Sequence, residues 1–470
     1  MWNMKPQLPI AQCHEISNLK PTKVGVLGCV MIWSLAVGGW VFAAESKPNV
    51  IVIISDDAGY ADFSMQGSKN FPTPHIDSIA ANGVRFTNSY ASAAVCSPSR
   101  AGIITGRYQQ RFGHEKNILP GNPAQGLPVT EKTLADALKS NGYRTMAIGK
   151  WHLGSAPQFH PLARGFDAFY GFLSGSRHYF PGRENPVKQM LRDRQPVKEK
   201  FGYTTDEFGR QAASFIQRSK DQPFFLYLAF NAVHEPHEPL PADLKEARAE
   251  RKKLCAITIA MDRAVGMVLE ALKKQGIAEN TLVFFVNDNG GPSLGRRHDN
   301  GNNAPLRGFK ASMWDGGIRV PFAVQWPAKI PKRQTYRQPV IALDIMPTAL
   351  AAAGITPDAK LDGVNLLPFL SGPILNGPVL NGPFLSGPFL NGEDKSAPHE
   401  ALFWRSGRRR AVRMGDWKLM DMGEGWKLFN LAHDIGESTD LMEKEPGRAK
   451  QLQAAYAKWN AGNIPPKWQD

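Results

Sequence analysis

Several apolar segments in this chain run directly into clusters of polar, chemistry-bearing residues, and that pattern restricts the fold more than any other feature. Val50-Ile51-Val52-Ile53-Ile54 is an unbroken β-branched run that ends in Ser55-Asp56-Asp57. A run without alternation predicts a strand covered on both faces, as in a mostly parallel sheet with helices packed above and below. Residues 143–148 feed Gly149-Lys150-Trp151-His152 in the same way, 224–230 feed Asn231-Ala232-Val233-His234, and 282–286 feed Asn287-Asp288-Asn289. Between them, 130–141 reads as a helix with Leu134, Ala137 and Leu138 on one face and Gly142 as its stop. Residues 253–274 carry Ile257, Met261, Val265, Val268 and Leu272 at helical spacing before Gly276. The expected class is α/β, a doubly wound, mostly parallel sheet flanked by helices. In such sheets ligand groups gather at the carboxyl ends of the strands, so the polar clusters predict one site along one sheet edge.

A chain of 470 residues exceeds the roughly 250 to 300 residues at which a single core stops growing, which predicts a smaller unit beside the main one. The break falls at 371–392, where Ser-Gly-Pro-Ile-Leu, Asn-Gly-Pro-Val-Leu, Asn-Gly-Pro-Phe-Leu and Ser-Gly-Pro-Phe-Leu follow one another. A five-residue period fits neither helix nor strand, and Pro373, Pro378, Pro383 and Pro388 remove backbone donors at intervals. The expected organisation is a main domain over 45–370, this repeat as a loop, and a C-terminal α+β subdomain over 393–470. In the last, 411–413 and 417–420 read as strands of a small antiparallel sheet and 448–459 as a closing helix.

Residues 24–44 are free of charge, follow Lys20 and Lys23, and end in Ala43-Ala44. This reads as a signal peptide over 1–44, with a membrane anchor as the competing reading of the same run. Loss of Lys5, Lys20, Lys23 and Glu15 with the leader takes the net charge from +14 to +12. So basic a chain suits a polyanionic partner, and a sulfated polysaccharide fits as well as nucleic acid. No nucleic-acid module accompanies the charge. Only Cys96 and Cys255 follow the leader, and no N-x-[ST] acceptor site is present. The expectation is an exported protein, periplasmic or secreted, bacterial in preference to lysosomal.

Cys96-Ser97-Pro98-Ser99-Arg100 leads on to Thr105-Gly106-Arg107, and further along stands Leu306-Arg307-Gly308-Phe309-Lys310. In order and spacing these blocks, with the four strand-end clusters, resemble the type I, formylglycine-dependent sulfatases of the alkaline phosphatase superfamily. The resemblance covers about residues 47 to 470, and the overall pattern is similar to galactosamine-6-sulfatase, arylsulfatase A and bacterial polysaccharide sulfatases. It departs at Phe309, where small residues are frequent in the family.

The residues themselves support a hard-cation site. Asp56, Asp57, Asp288 and Asn289 offer four oxygen side chains from two strand ends, a donor set suited to Ca²⁺, with Mg²⁺ as the second choice, over a transition metal. The resemblance implies that Cys96 is converted to formylglycine by a maturation enzyme, formylglycine-generating or anaerobic, and that the hydrated aldehyde attacks sulfur. It implies further that Arg100 holds the hydrate, that Lys150 binds a sulfate oxygen, and that His152 takes the proton when the diol collapses. His234 and Lys310 would hold the sulfate from the other side and protonate the departing oxygen. Lys150 and His152, two apart, would point the same way in an extended segment. Arg177, His178 and His237 are the candidates for contacts to a sugar. Two other readings stay open: a phosphonate or phosphate ester hydrolase of the same superfamily, and a non-catalytic polyanion-binding protein.

Overall fold

The computed structural model describes residues 46–182, 186–248, 250–293, 301–358, 360–370 and 397–468. The signal peptide expected over 1–44 and the repeat over 371–392 lie outside the described residues. Among these residues no helix is long and apolar enough to cross a membrane.

The strand built from the β-branched run, Asn49–Ser55, lies at the middle of a ten-stranded sheet. It pairs in parallel with Phe224–Ala229 on one side and Thr281–Asn287 on the other. Arg144–Lys150 and Ala168–Phe172 continue the parallel run beyond Phe224–Ala229. Beyond Thr281–Asn287 the sheet turns antiparallel at Phe322–Gln325. Both faces are covered, as the absence of alternation predicted. Val50, Val52 and Ile54 point into one apolar cluster with Ile103, Leu134 and Leu138, while Ile51 and Ile53 enter another with Phe208, Ile257 and Met261. The long helix Lys252–Lys274 follows its predicted span closely. The helix expected over 130–141 is shorter, Leu134–Lys139, because Thr133 caps it: Thr133 accepts from the Asp136 N–H while the Asp136 carboxylate accepts from the Thr133 N–H.

The C-terminal part holds four antiparallel strands, Leu402–Ser406, Arg409–Met414, Trp417–Asp421 and Trp426–Asn430, followed by the helix Pro446–Ala461. Its apolar face shares one cluster with Tyr90, Met313, Ile318 and Leu343 from earlier in the chain. A buried polar knot crosses the same boundary. Lys418 Nζ lies 2.7 Å from both Asp315 Oδ1 and Glu437 Oε1, Glu437 Oε2 accepts from the Asp315 N–H, and the Glu437 carbonyl accepts from Arg307.

Burial pushes the Glu437 carboxyl up to about 7, with Lys418 opposing and Asp315 adding to the rise. A raised carboxyl pKa means that the folded chain keeps a proton the unfolded chain releases in the ordinary Glu range. Folding stability should therefore fall as pH rises between about 4.5 and 7, by up to ~3 kcal/mol. Glu437→Gln should flatten that fall in urea titrations at pH 5, 6 and 7, and an unchanged slope would remove Glu437 as its source.

Candidate active site

The four strand-end clusters do meet at one sheet edge. Asp56 and Asp57 follow the central strand, and the chain there is fixed on both flanks: the Asp56 N–H donates to Ala232 O at 2.9 Å and the Val233 N–H to Asp56 O at 2.7 Å. Asn287 Oδ1 accepts from Ser55 Oγ at 2.7 Å and Asn287 Nδ2 donates to Ala58 O at 2.8 Å, locking the Asp56 turn to the Asp288 turn. Cys96 opens the helix Cys96–Thr105, all ten residues of which are buried. Arg100, one turn on, reaches under the cluster: its Nε and Nη2 lie 2.9 Å from Asp288 Oδ2, and Nη1 donates to Lys150 O at 3.0 Å.

Three carboxylates thus face three basic side chains around the Cys96 sulfur. Lys150 Nζ is 2.6 Å from Asp56 Oδ2, and Lys310 Nζ is 2.7 Å from Asp57 Oδ2 and 3.3 Å from Cys96 Sγ. The sulfur lies 3.5 Å from Asp56 Oδ1 and 3.8 Å from Asp57 Oδ1. His234 Nε2 closes the rim at 3.5 Å from Asp57 Oδ2, its Nδ1 2.7 Å from Glu235 O. Burial opposes ionisation of Asp56 and Asp57, yet Lys150 beside the first and Lys310 beside the second, with His234, hold both carboxyls below their ordinary range. Burial and the neighbouring Asp56 push Asp288 up to about 6, against Arg100. Burial likewise pushes the Cys96 thiol well up, against Lys150 and Lys310.

The carboxylates of Asp56, Asp57 and Asp288 each offer an oxygen, and with Cys96 Sγ these atoms all lie within 4.8 Å of one another. Asn289 is fully buried beside them, its Nδ2 donating to Asp57 Oδ1 at 2.8 Å, while its Oδ1 has no partner. Three buried carboxylates whose oxygens converge, with an unpartnered buried amide oxygen on the residue that touches Asp57, are a donor set suited to a hard divalent cation, so the residues present fit one.

His152 reaches the site by a route the sequence did not reveal. The strand ends at Lys150 and the chain bends, with φ of 56° at His152, so the two side chains are not presented by one extended segment. Gly149, at φ of 101°, begins the bend, and a Cβ there would stand 1.9 Å from Ala229 O. Ser97 Oγ ties the His152 carbonyl at 2.7 Å and also contacts His114 Nε2 at 2.7 Å. Burial, then Lys150 and Arg100, hold the His152 imidazole well below its ordinary pKa and therefore neutral. Gly175 packs on the ring: a Cβ there would lie 2.6 Å from His152 Nε2. Gly175→Ala should therefore displace the imidazole and lower kcat by roughly 10- to 100-fold with little change in folding stability. Turnover at the wild-type rate would show that the ring position is not critical. The only hint in the sequence was the small-residue stretch Ser174-Gly175-Ser176.

The sugar-contact candidates divide. His178 Nδ1 lies 3.0 Å from Glu238 Oε1, and Tyr179 OH donates to the carbonyls of Asn231 and His234, which joins this loop to the His234 rim. His237 is half-buried on the same rim segment. Arg177 is buried elsewhere, against Thr204, the Lys188 carbonyl and the rings of Phe172 and Phe201. Phe309, the unusual bulky neighbour of Lys310, is 49% exposed and leaves the lysine in place.

Comparison with known proteins supplies the wider setting. The family model described as Sulfatase matches residues 48–355. Human N-acetylgalactosamine-6-sulfatase is 35% identical over 350 residues, 70% of this chain and 66% of that protein, so the chain matches just under two thirds of that relative's length. The uncharacterised sulfatase YdeN of Escherichia coli strain K12 is 33% identical, over 70% of this chain and 67% of its own. Among solved structures, Ps i-CgsB in complex with k-i-k-neocarrahexaose is similar at a TM-score of 0.80 and 34% identity, covering 90% of this chain and 95% of that one.

Proposed function

The chain belongs to the sulfatase family, and from that premise we propose that it hydrolyses a sulfate ester of a carbohydrate, with formylglycine made from Cys96 and one bound Ca²⁺. The observation that carries the proposal is the convergence of Lys310, Lys150 and Arg100 with three carboxylates around Cys96 Sγ. Asp56, Asp57, Asp288 and Asn289 would hold the cation, which when bound draws electron density from the ester and makes its sulfur more electrophilic. The aldehyde hydrate at position 96 supplies the nucleophilic oxygen.

The remaining residues bind, orient and move protons. Arg100 fixes the 96 side against Asp288, and Lys150 and Lys310 carry the positive charge that an incoming sulfate's oxygens need. A neutral His152 accepts a proton, which a charged imidazole does not. His234 and Lys310, at the open side, are the donors to the departing alcohol oxygen. His178 and His237, on the rim beside His234, and Arg177 remain the candidates for sugar contact.

A sulfated sugar is the substrate class, supported by two relatives of at least 34% identity, one named for N-acetylgalactosamine 6-sulfate and one solved with a neocarrahexaose. The net charge, +14 for the whole chain and +12 without 1–44, also favours a polyanion. Export to a periplasm or the medium, with 1–44 as signal peptide, and maturation by a formylglycine-forming enzyme complete the reading, as does the division into 45–370, 371–392 and 393–470. Against the phosphonate-hydrolase alternative stands Asn289, where a transition-metal site would favour a further histidine ligand.

The test is mass spectrometry across residue 96 in protein from a host with the maturation machinery, paired with sulfate release from an aryl sulfate, with and without a chelator. A loss of about 18 Da at Cys96 relative to the unmodified chain, together with Ca²⁺-dependent sulfate release, is expected. A matured residue with release from a phosphonate ester but from no sulfate ester would overturn the reading.

A further inference from the structure

Arg409 stands out among the basic residues near the site. Arg405 is taken by Glu115, at 2.6 Å, and Arg410 by Asp421, at 3.0 Å. Arg409 is exposed, its Nη1 donates to Ala311 O at 2.7 Å, and among the described residues no carboxylate pairs with it. Ala311 follows Lys310, and its N–H donates to Ala94 O at 2.8 Å, so Arg409 is fastened to the point where the Lys310 segment joins the segment entering Cys96.

Two hollows meet at this arginine. One, of about 390 Å³, is walled by Phe309, Trp314 and Met422 and includes Lys310. The other, of about 200 Å³, is walled by Ala94, Val95, Lys116 and Trp404. Arg409 and Ala311 belong to both. The first hollow contains arginine and lysine side chains and no acid, and in the second Glu115 is engaged by Arg405. The tip that carries Arg409 is held firmly, since Glu115 also accepts from the Gly407 N–H, and Ser406 pairs with Arg409 across the hairpin.

We propose that Arg409 is the anchor of a second anion subsite, which binds a sulfate on the sugar next to the one being cleaved while that sugar's apolar face lies on Phe309. The proposal rests on the sulfatase reading and deepens it: the preferred substrate is an oligosaccharide with sulfates on neighbouring units. A guanidinium with no carboxylate partner recognises a sulfate through two parallel donors, and its tie to a backbone carbonyl orients it before binding. An exposed aromatic side chain offers a flat apolar surface to a sugar ring.

The test compares the wild type with Arg409→Gln and Arg409→Lys. Turnover of an aryl sulfate, which has no neighbouring unit, should stay within about twofold in both. Calorimetric titration with neocarrahexaoses is done in the Cys96→Ala background, where no turnover interferes. The hexaose sulfated on adjacent units should bind on the order of 10- to 100-fold more weakly to Arg409→Gln, with part of the loss restored in Arg409→Lys. A hexaose sulfated on a single unit should be indifferent to the substitution. Equal affinity of the parent protein for the two hexaoses overturns the subsite, and so does an equal loss for both, or a matching fall in aryl sulfate turnover. If no sulfate ester is hydrolysed but the Arg409-dependent difference in binding persists, the hydrolase reading fails and the subsite stands.

Discussion

Cys96→Ala should abolish sulfate release and leave the fold unchanged. The side chain is buried and small, and among its neighbours Asp56, Asp57 and Lys310 each keep another charged partner when the sulfur is gone. Truncation therefore costs one small packing contact, on the order of 1 kcal/mol. Its catalytic cost is of a different size. Without a side chain at 96 there is no oxygen to attack sulfur, and what remains is charge stabilisation alone, a fall of at least ~10⁴-fold in turnover. Cys96→Ser is the sharper comparison, since a serine restores an oxygen and lacks the second hydroxyl that lets a hydrate collapse and expel sulfate. It should remain inactive in steady state. The measurement is aryl sulfate turnover alongside thermal unfolding, and a variant that turns over near the wild-type rate would remove Cys96 from the mechanism.

The reach of the sequence can be judged residue by residue. Asp56, Asp57, Asp288 and Asn289 were readable as a group because each follows a buried parallel strand, and parallel register carries neighbouring strand ends to one edge, as Ser55 opposite Asn287 shows. Arg100 was readable as one helical turn from Cys96, and the helix Cys96–Thr105 puts it there. His152 was readable as a residue of the site but not in its manner of arrival, because the bend depends on Gly149 and on a carbonyl bond from Ser97, 55 positions away. The same reason hid the knot around Lys418. Its partners Asp315 and Glu437 lie 103 and 19 positions away, and no local period links an acid on one segment to a lysine on another. Leu402–Ser406 and Trp426–Asn430 went unread because each buries only two of its five residues and leaves little pattern to separate from loop, whereas Trp417–Asp421, of the same length, buries four. Arg409 could be seen only once its neighbours' partners were known.

Asp288→Ala should cost both activity and stability, and that double loss distinguishes it from any change at Cys96. Arg100 and Asp288 are both fully buried, and Arg100 Nε and Nη2 each lie 2.9 Å from the same carboxylate oxygen. Asp56, at 3.7 Å from Nη2, is already engaged by Lys150. Removing the Asp288 carboxylate therefore leaves a guanidinium in the core with its main counter-charge gone, for which a loss of roughly 3 to 5 kcal/mol is expected. Asp288→Asn keeps the shape and one acceptor oxygen and should lose less. The two roles proposed for Asp288, holding Arg100 and holding a cation, then separate by titration. A cation that binds only the folded wild type should raise its unfolding free energy by about 2.7 kcal/mol at a concentration a hundred times its dissociation constant. In Asp288→Asn that increment should shrink sharply while most of the fold survives. Urea unfolding of the wild type and both variants, with and without Ca²⁺, reads all of this at once. An Asp288→Ala protein of wild-type stability would show that Arg100 finds its charge balance elsewhere, and an undiminished Ca²⁺ increment in Asp288→Asn would move the cation off this carboxylate.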